Sequence, residues 1–114
     1  MAGEIGDLRT RDVSELLVLI VIGALGVATL YELFESLKTA TEDAKVPFSV
    51  GPSLENVLKW RESLNEVRED RAGGHKVYRL TDEGRRVLAQ YNDFLLEQFP
   101  RLSDIRRNGV ESAI

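Results

Sequence analysis

A chain of 114 residues and 12.8 kDa has room for one domain and one core, which excludes an enzyme carrying a separate cofactor lobe. With 43% hydrophobic and 30% charged residues it holds too much apolar material for intrinsic disorder, and its net charge of −4 argues against coating nucleic acid by bulk electrostatics alone. The absence of cysteine removes disulfides, thiolate zinc sites and cysteine nucleophiles, and a lone histidine, His75, removes histidine-based triads and zinc sites. No enzyme activity, metal or cofactor is therefore expected, and cysteine usage fits a cytoplasmic protein.

Charge is unevenly spread: residues 1–44 hold 3 basic and 8 acidic side chains, residues 45–90 hold 9 and 7, and residues 91–114 hold 3 and 4. Positive charge is thus central. The first 11 residues, rich in glycine and charge, read as a flexible arm ahead of a domain spanning 12–100, with a tail over 101–114. Residues 16–31 carry no charge, yet 16 residues bounded by Glu15 and Glu32 fall short of the roughly 20 a bilayer-spanning helix needs. The acidic residues before the run fit no signal peptide, so no membrane association is expected.

A first helix is predicted to begin near Asp12, with Asp12 or Ser14 as its cap, and the run from Leu16 to Ile22 leaves it no polar face. Gly23 and Gly26 mark a turn. Leu30, Leu33, Phe34 and Leu37 then recur at helical spacing, predicting an amphipathic second helix that ends before Val46-Pro47. After Gly51-Pro52 a third helix is predicted, with Leu54, Val57, Leu58, Arg61 and Leu64 on one face and Ser53, Glu55, Asn56 and Lys59 on the other. The period then changes to two. Residues 64–69 and 76–81 read as strands of a hairpin around Gly73-Gly74, because paired glycines permit the positive φ angles of a tight turn. Thr81 can cap a fourth helix over 82–99, whose stripe of Val87, Leu88, Tyr91, Phe94, Leu95 and Phe99 runs to Pro100.

The expected fold class is mainly α with a small antiparallel β-hairpin, in the order of a winged helix-turn-helix followed by a C-terminal dimerisation helix. The run Tyr78-Arg79-Leu80-Thr81-Asp82-Glu83-Gly84 resembles the wing strand and following helix start of the PadR-like winged-helix transcriptional regulators. Residues 16–25 followed by Tyr31-Glu32-Leu33 resemble their first two helices, and similar runs occur in the MarR-like family. The resemblance covers roughly residues 14–90 and implies a cytoplasmic, dimeric regulator that binds double-stranded DNA.

In a winged helix the third helix enters the major groove and the wing lies along the backbone. The candidate DNA-binding residues are Ser53, Asn56 and Lys59 on the third helix, where asparagine can pair bidentately with adenine, and Arg68, Arg71, His75, Lys76 and Arg79 on the wing. Interleaved Glu55, Glu62, Glu66, Glu69 and Asp70 weaken phosphate attraction. That density of carboxylates leaves room for an alternative, a winged-helix module that binds another protein. The candidate homodimer interface is Tyr91, Phe94, Leu95 and Phe99, because an apolar stripe so long exceeds what one small core needs.

Overall fold

The computed structural model describes residues 10–46 and 54–105. Its first element, α1 (Thr10–Leu25), is apolar almost all round, and residues 13–22 are all buried. It forms the hub against which the other elements pack. Gly23 lies inside this helix, not in a turn: a Cβ there would come to 2.9 Å from Leu80 Cδ1, so the glycine admits the hairpin. Of the two glycines only Gly26 ends the helix: its φ of 80° and N–H bond to the Ile22 carbonyl at 2.8 Å close it after Leu25 with a left-handed cap.

Helix α2 (Leu30–Ala40) begins with a capping box. Thr29 Oγ1 accepts from the Glu32 N–H at 3.1 Å, and Glu32 Oε1 accepts from the Thr29 N–H at 2.8 Å. Leu33, Leu37 and Ala40 face the core. Helix α3 (Leu54–Ser63) buries Val57 and Leu58. It ends at Asn65, whose φ of 62° lets the Asn65 N–H reach the Glu62 carbonyl and the Glu66 N–H reach the Arg61 carbonyl, at 2.9 and 3.0 Å.

That left-handed cap occupies residues expected to open the first strand, so the strands begin elsewhere. Strand β1 (Val67–Ala72) pairs antiparallel with β2 (His75–Leu80), Val67 opposite Leu80 and Ala72 opposite His75. The register differs from the expected one by two residues, Glu69 standing opposite Tyr78 instead of Lys76, because a two-residue loop, with φ of 58° and 83°, lets both strands enter the turn fully paired. Ala28, between α1 and α2, bridges Tyr78 through mutual backbone hydrogen bonds of 3.0 and 2.7 Å, on the edge of β2 away from β1.

The stripe expected to form one helix over 82–99 is broken into α4 (Asp82–Ala89) and α5 (Asn92–Gln98). The Gln90 and Tyr91 N–H groups bond three residues back, and Tyr91 leaves the helical region with φ −123° and ψ 4°. The kink turns α5 onto α1, and Leu95 and Phe99 are fully buried in the same core as Leu102 and Ile105. The molecule is mainly helical with one small antiparallel sheet.

Candidate nucleic-acid interface

A buried ion cluster sets the position of α3 against the hairpin. Arg61 reaches inward from α3 and places Nη2 2.8 Å from Glu15 Oε1 on α1 and Nη1 2.8 Å from Glu66 Oε1 at the start of the hairpin. Its side chain is 12% exposed, and those of the two carboxylates 3% and 9%. Arg61 lies on the apolar side of α3, as its spacing predicts, but as the cation bridging two buried acids. Leu64, expected on the same face, is exposed because the helix ends at Ser63, ahead of the left-handed Asn65, so helical spacing no longer directs it inward.

Of the candidates on α3, Asn56 and Lys59 are exposed, flanked by exposed Glu55, Trp60, Glu62 and Ser63. Ser53 lies outside the described residues. Alternation along the strands sorts the remaining candidates onto two faces. Arg71 and Lys76, directly opposite one another next to the turn, share the face of Val67, Tyr78 and Leu80, which is the face turned toward the helices. Arg68, Arg79 and His75 lie on the other face, with Arg68 directly opposite Arg79. The five hairpin candidates therefore do not share one face.

Three of the basic groups on the hairpin have acidic company. Lys76 Nζ lies 3.7 Å from Glu69, Arg68 Nη2 lies 3.4 Å from Asp70, and Arg79 Nε lies 3.8 Å from Asp70. These pairs are solvent-exposed and loose, so each is worth about 0–1 kcal/mol and leaves the cation able to exchange partners. Burial holds the Tyr78 phenol above its usual range, and the carboxylates of Glu69, Glu55 and Glu62 push it the same way. Those three acids, two from α3 and one from β1, thus bear on the junction between α3 and the hairpin.

On the other face, Arg68, Arg79 and Arg85 line an open groove of about 410 Å³ together with Leu80, Thr81 and Asp82. Sequence reasoning missed Arg85. The signal was available in Thr81 as helix cap, since a residue four positions into a helix returns to the side of its cap and meets the end of the preceding strand.

The candidate dimer-interface residues divide between core and surface. Leu95 and Phe99 are fully buried within the chain, and only Tyr91 and Phe94 keep part of their surface. The kink between α4 and α5 takes Leu95 and Phe99 into the chain's own core and leaves Tyr91 and Phe94 as the part of the stripe that reaches the surface. The large apolar side chains that do stand exposed lie elsewhere: Val27, Tyr31 and Phe34 around the start of α2, Trp60 on α3, and Leu64 after it.

No group of three or more His, Asp or Glu side chains among the described residues is placed to hold a metal, and no helix among them is long and apolar enough to cross a membrane. No protein-family model, curated protein or solved structure matches the chain.

Proposed function

We propose that the chain is a winged helix-turn-helix protein that binds double-stranded DNA, as transcriptional regulators of that architecture do. The observation carrying this reading is the junction of three helices with an antiparallel hairpin whose inner strand is bridged by Ala28. A residue between the first two helices pairs onto the hairpin as a third, minimal strand, and this supports reading the hairpin as a wing. In this reading the exposed Asn56 and Lys59 of α3 approach the major groove, and Arg71, Lys76 and His75 at the hairpin tip meet the backbone.

Attraction to phosphate comes from few charges, so binding is modest and falls with salt in proportion to the contacts made. Each phosphate neutralised releases condensed counterions, giving a slope of log affinity against log salt of about −0.9 per contact. The test is titration of a random-sequence duplex at two salt concentrations, with wild type beside Lys59→Ala, Arg71→Ala and Lys76→Ala. Each variant is expected to weaken binding to all sequences and to reduce the slope by about one unit. An absence of binding at low salt with tens of micromolar protein overturns the reading.

One observation favours the alternative, a winged helix that docks a protein. Glu55, Glu62 and Glu69 surround the α3–hairpin junction and half-exposed Trp60 stands on the same helix, a combination suited to a basic, apolar segment and unfavourable to phosphate. A duplex titration with no dependence on Lys59, Arg71 or Lys76 supports this alternative.

A further inference from the structure

The outer groove of the hairpin holds three guanidinium groups from three elements: Arg68 on β1, Arg79 on β2 and Arg85 on α4. Like charges placed directly opposite on neighbouring strands destabilise a sheet, and Arg68 and Arg79 are such a pair. The local carboxylates offset this poorly. Asp70 sits 3.4 Å from Arg68 and 3.8 Å from Arg79, and Asp82, whose side chain is fully exposed, sits 3.4 Å from Arg85. Arg79 Nε is buried and has no hydrogen-bond partner among the described residues. A buried donor left unsatisfied costs free energy, and an anion in the groove, toward which the 38%-exposed Arg79 side chain can turn, would satisfy it. The Thr81 hydroxyl is not a rival donor, since it already donates to the Asn65 carbonyl and accepts from the Gly84 N–H.

We propose that this groove is a phosphate-binding site in which Arg68, Arg79 and Arg85 share one phosphate group. The neighbouring acids decide the ligand class. A carboxylate would bring no more than Asp70 and Asp82 already offer, whereas a phosphate brings three acceptor oxygens and greater charge, enough for several guanidinium groups to donate at once. The site is distinct from the hairpin tip: Arg79 stands four residues from His75, about 13 Å along the strand, and on the face away from Arg71 and Lys76. It does not depend on the duplex-binding reading. The phosphate can belong to a DNA backbone or to a free phosphorylated small molecule, and the experiment separates these sources.

The experiment follows the arginine Nε–Hε signals of the isotopically labelled full chain during titration with inorganic phosphate, pyrophosphate and a random-sequence duplex, against sodium chloride at matched ionic strength. A saturable shift of the Arg79 signal beyond the chloride control is expected. Arg79→Gln and Arg85→Gln should each weaken that binding roughly tenfold, the loss of one set of charge-assisted hydrogen bonds. Arg85 is well exposed, so its variant keeps the fold, and an unchanged backbone spectrum verifies this. A duplex that shifts the Arg79 signal and competes with pyrophosphate identifies the source as DNA backbone. Pyrophosphate acting where the duplex leaves that signal unmoved identifies a small phosphorylated ligand, whether or not the duplex binds elsewhere. The proposal is overturned if none of the three probes moves the Arg79 signal beyond chloride, or if both variants bind them as tightly as the wild type.

Discussion

Arg61 illustrates how much one side chain decides in a domain of this size. It is the only cation between two buried carboxylates from different elements among the described residues, so it ties α1, α3 and the hairpin start at a single point. A buried pair of this kind adds little net stability against an apolar replacement of the whole cluster, but removing one partner leaves uncompensated charge. Arg61→Met leaves Glu15 and Glu66 facing one another without their shared cation. The expected cost is about 3–5 kcal/mol by denaturant unfolding, a large fraction of what a small domain possesses. Lys59→Met, two residues away on the exposed face, should change stability by less than about 0.5 kcal/mol. Equal effects would show that the Arg61 cluster is not holding the elements together.

At the scale of elements, the hairpin and α4 are joined by backbone as well as by side chains. The Thr81 N–H bonds to the Glu66 carbonyl at 3.1 Å, and Gly84 comes so close to that same carbonyl that a Cβ there would run into it. Neither group is a flexible side-chain end able to move aside. Gly84→Ala should therefore cost about 1–3 kcal/mol by overpacking, although glycine to alanine in a helix interior ordinarily stabilises. Gly23→Ala is the control, because there the obstructing atom is the end of the Leu80 side chain, which can rotate, and the loss should be smaller or absent. Both are read from thermal or denaturant midpoints. The contrast also shows which features were legible in the sequence. Helices α1, α2 and α3, the glycine turn and the Thr81 cap follow from local periodicity and capping chemistry, which act within a few residues. The register of the hairpin was misplaced because it depends on Asn65 adopting a left-handed cap, and asparagine announces that conformation far less clearly than glycine does. The basic candidates were recognisable as residue types, and their division between two sheet faces follows from strand alternation, which a two-residue shift leaves unchanged; what the register alone decides is which side chains stand directly opposite one another.

For the whole molecule, the consequential feature is the kink at Gln90-Tyr91, because it decides whether the C-terminal apolar stripe belongs to the core or to a partner. A straight helix would carry Leu95 and Phe99 away from α1 and leave them for a second copy. The kink instead brings α5 onto α1, where both side chains are fully buried, while Phe94 on the same helix stays partly exposed. The two neighbours in sequence therefore separate the roles. Leu95→Ala should cost about 2–5 kcal/mol, as truncation of a buried leucine does, and Leu95→Glu should prevent folding by placing a carboxylate in an apolar site. Phe94→Glu should leave a folded chain with the same sedimentation coefficient as the wild type, because its remaining surface is too small to hold two copies together unaided. A fall in mass for Phe94→Glu, with its unfolding midpoint preserved, would restore a dimer built on this helix and show that a partner covers Phe94 and Tyr91. A Leu95→Glu variant that stays folded would move Leu95 out of the core and remove the argument for the kink.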